Sequence, residues 1–323
     1  MAVAPSRADE PVSPVGVSYR LPDDPAVRER ALRAGGWLTR HLVTVTAPGG
    51  VGPVRVVAWK DPTLAPDDPG LLAGYLITDT LWAAEALRPI EAATSRSIVE
   101  GLERLGWARN GLHEVLFRPV GVLLVRPDDE DWMHGASLGH ARIGGGPNRV
   151  DLRVFRQRRD DAYDVGHPLL FAEHAVFRAL DDAWKGRPDD ARRRLLAAIA
   201  DSRSTDPSDS IFWDPEARVL VDHVTLDDWK ALREGTRPAI WHYSFKLGTL
   251  LHAIRLLGLE GDVPAATLAG MRDRQWSSQQ EDGVIPHFVE VRRDGTASSA
   301  PGGTGEATAI AILSETVVPR GAR

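Results

Sequence analysis

Cysteine is absent from the 323 residues, which excludes disulfides, thiolate nucleophiles, Cys-ligated zinc and iron–sulfur clusters together. It says little about compartment, because exported bacterial proteins also do without cysteine. No run approaches the roughly 18 uninterrupted apolar residues of a membrane span, and the N-terminus lacks the apolar segment of a signal peptide. A basic block is missing as well. The net charge is −6 and the 39 Lys and Arg are dispersed along the chain, so there is no electrostatic footprint for a nucleic-acid backbone. The expectation is a soluble chain with neither nucleic acid nor membrane as partner. Its compartment stays open between the cytoplasm and export with the signal already removed. Lysine is confined to Lys60, Lys185, Lys230 and Lys246, and asparagine to Asn110 and Asn148.

What is present suffices for a large core: 43% of the residues are hydrophobic and 26% charged. Residues 1–24 are Pro-rich and polar and read as a flexible tail. No Pro/Gly/Ser linker divides the interior, so residues 25–323 read as a single domain. Helical periodicity dominates it. Asp24-Pro25 supplies a cap and a first-turn proline for a helix over about 25–43. Leu72, Leu76, Asp79, Ala83 and Leu87 form an apolar stripe holding one carboxylate, Pro89 ends it, and Ile90 to Trp107 is a return helix after a very short connection. Val54, Val56 and Ala58 alternate as a short strand. Residues 108–165 are strand-rich, with alternation at Val115–Leu124 and Val150–Val154 and a Gly144-Gly145-Gly146-Pro147-Asn148 turn. Helices resume at Leu169 to Trp184 and Ala191 to Arg203, a strand is expected at Val219–Val221, and Ile240 to Leu257, Pro264 to Gln280 and Gly305 to Thr316 complete the chain. Sequential helical hairpins around one core predict a mainly α fold, closed as an α/α toroid with a small strand-rich insertion at about 108–165; at least eight helices are expected.

Two C-terminal segments are the most informative. Gln279-Gln280-Glu281-Asp282-Gly283 is a Q-x-x-D-G turn following a helix, and Thr304-Gly305-Glu306-Ala307-Thr308 opens an apolar helix. They resemble the turn pattern of α/α-toroid proteins of two groups: the six-hairpin glycosidases, lyases and epimerases, and the prenyltransferases and terpene cyclases; the helix starts around Trp241-His242-Tyr243-Ser244-Phe245-Lys246 and Tyr75-Leu76-Ile77-Thr78-Asp79 resemble inner helices of the carbohydrate-active toroids. The resemblance is good over about 60 residues. It implies a cleft lined by polar residues near inner-helix starts, and a glycan substrate in the first group.

Glu306, in a first helical turn where backbone N–H groups hold a carboxylate ionised, is the sharpest acid candidate; a cap completed with Thr304 is its plain alternative. Asp79 interrupts an apolar stripe and is either a structural buried carboxylate or a catalytic one. His242, Tyr243 and Lys246 make a constellation able to move a proton and hold a substrate carboxylate, or else an aromatic packing cluster. His287 reads as a wall residue that can touch substrate. Asp160-Asp161-Ala162-Tyr163-Asp164 matches the DDxxD pattern of ionising terpene synthases, but no second Asn-bearing metal motif accompanies it, which leaves Asp161 and Asp164 as cleft acids or as part of a solvated charge run. Asp282 reads as a turn residue. Ten Trp is high for this length, and Trp82, Trp132, Trp213 and Trp241 stand where an indole can stack on a sugar. No metal or cofactor is expected. The first functional expectation is a glycoside hydrolase with a carboxylate pair. The alternatives are a uronate lyase or epimerase using Tyr243 and His242, an isoprenoid cyclase-like toroid, and a non-catalytic glycan-binding toroid.

Overall fold

Asp24 starts the first helix, α1 (Pro25–Arg40): its Oδ1 accepts from the N–H of Ala26 at 2.8 Å and of Val27 at 3.3 Å, satisfying two donors that a first turn leaves unpaired. The computed structural model describes residues 18–47, 52–57, 76–104, 137–143, 150–155, 172–184, 187–197, 199, 211–299 and 301–318. α1 ends earlier than the spacing predicted. Leu42–Ala47 is instead a strand, β1, antiparallel to β2 (Gly52–Val57), because Val43, Thr44, Val45 and Thr46 are β-branched and pack better on a pleat than on a helix.

The helical hairpins follow as expected. α2 (Leu76–Leu87) and α3 (Ala92–Arg104) pack together, as do α4 (Ala172–Trp184) and α5 (Pro188–Ala197). Between the pairs in sequence, β3 (Ser137–Ile143) and β4 (Val150–Phe155) pair antiparallel; the Gly-rich turn segment between them and the alternation at Val115–Leu124 lie outside the described residues. β5 (Phe212–Asp214) and β6 (Val219–Val221) make another small hairpin, followed by α6 (Leu226–Glu234), a helix not anticipated. Next come β7 (Ala239–Tyr243), α7 (Ser244–Leu256), α8 (Ala265–Ser277), β8 (Phe288–Arg292), β9 (Ala297–Ser298) and α9 (Gly305–Thr316). The fold is mainly α with a few small antiparallel sheets. Among the described residues no helix is long and apolar enough to cross a membrane.

α9 is the central element. Its middle, Ala309–Leu313, is apolar on every side, the signature of an enclosed helix, and α9 packs against α7, α2 and α1, with every residue buried except Glu306. The main core lies between these helices. A second, smaller core joins Phe212, Val219, Val221, Leu232, Ile240, Val289 and Val291 between the β5–β6 hairpin, α6 and the β7–β8–β9 sheet.

Two features tie the ends of the chain to this core. Part of the expected N-terminal tail is docked: Tyr19 is buried and bridges Val317, and burial beside Glu85 holds its phenol pKa well above the ordinary value. A buried aromatic outweighs the polar, Pro-rich composition around it. The Q-x-x-D-G turn is a hub. Gln279 donates to the carbonyl of Arg30 at 2.9 Å, Gln280 exchanges bonds with Gly302, and Arg40 donates to the carbonyl of Asp282 at 2.7 Å. Gly283 sits there at φ 101°, where a Cβ would lie 2.3 Å from the carbonyl oxygen of Arg33; only glycine combines that dihedral with that approach.

Candidate functional site

Three chain segments begin at one end of the β7–β8 sheet. Tyr243 pairs with Phe288 across the ladder, and the chain then passes from strand to helix without a loop, so Tyr243 is both the last residue of β7 and the N-cap of α7. The N–H of Ser244 donates to the carbonyl of His287 at 3.0 Å, fixing the start of α7 to the start of β8. α9 arrives from the other side. Its N-cap Thr304 accepts from the N–H of Ala307 at 3.2 Å and donates its own N–H to the carbonyl of Ile285 at 3.3 Å. Glu306 is the second residue of the helix, with Ala307 at the third position that a capping box uses, and the Thr304 N–H is already taken. The Glu306 carboxylate instead lies 3.4 Å from His287 Nδ1, and the His287 ring meets Tyr243 edge to face with centroids 5.8 Å apart. Tyr243, His287 and Glu306 form one contiguous, partly exposed cluster.

Lys246 lies beneath it. Its ammonium sits 4.6 Å from the centroid of the Tyr243 ring and 2.5 Å from Asp222 Oδ2. Asp222 also accepts from the N–H groups of Ala172 and Thr225, both at 3.1 Å, and from the Thr225 hydroxyl at 2.9 Å. Both of its oxygens are engaged, and the ion pair is buried. Lys246 thus anchors α7 to the loop after β6 and to the start of α4 while supporting the phenol ring from below.

His242 does not join Tyr243. The expectation of a helix opening at Trp241-His242-Tyr243 is corrected: these residues are strand, and strand side chains alternate between faces. His242 points inward, 1% exposed, with no hydrogen-bond partner at either ring nitrogen. Burial first, then the positive charges of Arg274 and Lys246, lowers its pKa to about 3, so the ring is neutral at physiological pH.

The tryptophans divide in the same way. Trp241 is 43% exposed and meets Phe288 edge to face at 4.9 Å. Trp82 is buried and stacked on Phe245 with centroids 5.1 Å apart, and Trp213 is buried against α8 at Gly270. Neither leaves a ring face open to a ligand, because both sit where helices and the small sheet close over the core. Asp79 is on α2, which packs on α9, but its side chain lies outside those described. Asp161, Asp164 and Trp132 lie outside the described residues altogether.

Sequence reasoning passed over Phe288 and Asp222. The alternation of exposed and buried residues along Phe288–Arg292 was the available signal for the first; nothing local distinguishes the second from other acids. Among the described residues no group of three His, Asp or Glu is placed to hold a metal ion. Compared with family models, curated proteins and solved structures, the chain matches none.

Proposed function

We propose that the protein is a carbohydrate-active enzyme, with glycoside hydrolysis as its reaction and Glu306, assisted by His287 and Tyr243, as its acid–base centre. The observation that supports this is the meeting of three proton-handling side chains, drawn from three separate segments, at one partly exposed point. Glu306 occupies the first turn of α9, where the N-terminal dipole favours a carboxylate, and its carboxylate lies 3.4 Å from the His287 imidazole. In hydrolysis it protonates the departing glycosidic oxygen while a second carboxylate activates water or attacks carbon. Asp79, carried by the helix that packs on α9, is our candidate for that second group. The helical hairpins extend, in this reading, into an α/α toroid, which brings inner-helix starts to a common face.

Elimination or epimerisation of a uronate is a second reading, favoured by the direct Tyr243–His287 contact: phenol and imidazole are the groups that take a proton from carbon next to a carboxyl. A panel of neutral and uronic polysaccharides tests both. On a substrate that turns over, Glu306→Gln should lower kcat by roughly 10²-fold or more, the usual worth of a positioned acid–base group. Tyr243→Phe should keep a substantial fraction of hydrolytic activity. Full activity in Glu306→Gln refutes the site, and an ultraviolet-absorbing unsaturated product lost in Tyr243→Phe transfers the assignment to elimination.

A further inference from the structure

The outward face of β7 and β8 continues the cluster as an aromatic stripe. Trp241 and Phe288 are 43% and 45% exposed and touch each other; Phe288 in turn reaches Tyr243 at 6.0 Å and His287 at 5.9 Å. The other large hydrophobic side chains exposed among the described residues, Leu32 and Val224, lie on α1 and before α6. Carboxylates edge the stripe. Glu290, exposed, stands opposite Trp241 in the ladder, and Glu306 lies behind His287. The ammonium of Lys246 is held by Asp222, and Arg292 stands beyond Trp241, opposite Ala239.

We infer that Trp241 and Phe288 form a sugar-stacking subsite beside the Tyr243–His287–Glu306 cluster, and that its occupant is an uncharged oligosaccharide of two or more rings. This rests on the carbohydrate-active reading of the cluster and names its substrate class. A sugar ring offers an apolar C–H face to an aromatic ring and a rim of hydroxyl donors, for which the carboxyl oxygens of Glu290 are acceptors. A polyuronate would bring like charge against Glu290. The patch is also too small for a protein partner. Two half-exposed rings supply at most a few hundred Å², against about 800 Å² per partner in a stable interface. One ring placed at Glu306 and the next over Trp241 and Phe288 makes the stripe a discriminator of chain length.

The test uses the full chain with neutral mono- and oligosaccharides and uronic oligosaccharides, reading binding by calorimetry in Glu306→Gln and KM in the otherwise intact enzyme. Trp241→Ala should weaken neutral oligosaccharides about tenfold, the scale of one aromatic contact, and leave monosaccharide affinity unchanged. Trp241→Phe, which keeps an aromatic ring, should restore most of the loss and controls for folding. If the enzyme turns over a glycan but Trp241→Ala leaves KM unchanged, or if uronic oligosaccharides bind more tightly than neutral ones, the subsite is refuted while the catalytic reading stands. A wild-type dimer that Trp241→Ala dissociates identifies the stripe as an interface and overturns the inference. Failure to bind or turn over any glycan overturns both.

Discussion

Replacing Lys246 by Met keeps most of the side chain's length and removes its ammonium, with both its charge and its hydrogen bond to Asp222. The consequence is large because of where Asp222 is left. In the wild type the ammonium is 2.5 Å from Asp222 Oδ2, with side-chain exposures of 8% and 1%, so neither ion can be rehydrated in place. In Lys246→Met the carboxylate retains three donors, the N–H groups of Ala172 and Thr225 and the Thr225 hydroxyl, but no counter-charge. Stranding one member of a buried pair costs about 3–5 kcal/mol. At about 2 °C per kcal/mol for a chain of this size, the melting temperature should fall by about 6–10 °C. Adding Asp222→Asn removes the stranded charge, so the double variant should recover part of the loss, and the coupling in the cycle should exceed about 1 kcal/mol. Because the pair is buried, raising salt to 1 M should change the wild-type melting temperature little through this contact. Thermal and urea denaturation of the four proteins provide the readout. A Lys246→Met variant melting within about 1 °C of wild type places the pair among solvent-exposed bridges, worth about 0–1 kcal/mol, and refutes the reasoning.

His242 sets an acid limit on stability. Its folded pKa of about 3 lies below the unfolded value of 6.5, so between those values the unfolded chain binds the extra proton and stability drops as the pH is lowered, by up to about 1.4 kcal/mol per unit. His242→Leu, which also replaces two unpartnered buried nitrogens, should be neutral or stabilising at pH 7 and should flatten the decline below pH 6; an unchanged acid limb rejects the assignment. Gly283→Ala should destabilise clearly more than Gly235→Ala. Both residues have positive φ, a cost of about 1–2 kcal/mol for alanine, but Gly235 has open space around it while Gly283 faces the carbonyl of Arg33. Equal urea midpoints for the two variants show that the close approach adds nothing.

Much of the helical frame was legible because its signals are local. Asp24-Pro25 and Thr304-Gly305 mark helix starts by cap chemistry, and the apolar run to Thr316 has a single way to be buried. The segment from Ile240 to Leu257 misled for a physical reason. An apolar run long enough for a helix carries no mark where β7 gives way to α7, although Ile240, Trp241 and Tyr243 have strand propensity. α6 was passed over although Asp227 and Asp228 in its first turn and Gly235 after its end mark a helix. At the site, Tyr243, His287 and Glu306 could each be singled out by type and position. Their meeting depends on the β7–β8 register and on α9 docking against Ile285, which are tertiary facts. The burial of Trp82, within α2, and of Trp213, in β5, is tertiary for the same reason, since an indole in the sequence looks alike whether another element covers it or not.

The loopless passage from β7 into α7 makes the seam between Trp241 and Ser244 intolerant of a change in length. One residue inserted or deleted there exchanges the two faces of β7, burying Trp241 and turning His242 to solvent, and rotates the start of α7 by about 100°. The Lys246 ammonium would swing away from Asp222, and the bond from Ser244 to the carbonyl of His287 would be lost. Substitutions along this stretch act one side chain at a time, whereas a single codon gained or lost dismantles the aromatic stripe, the ion pair and the proton-handling cluster together. Loops on either side can lengthen freely by comparison, so variation in chain length among functional versions of this protein should avoid these four residues.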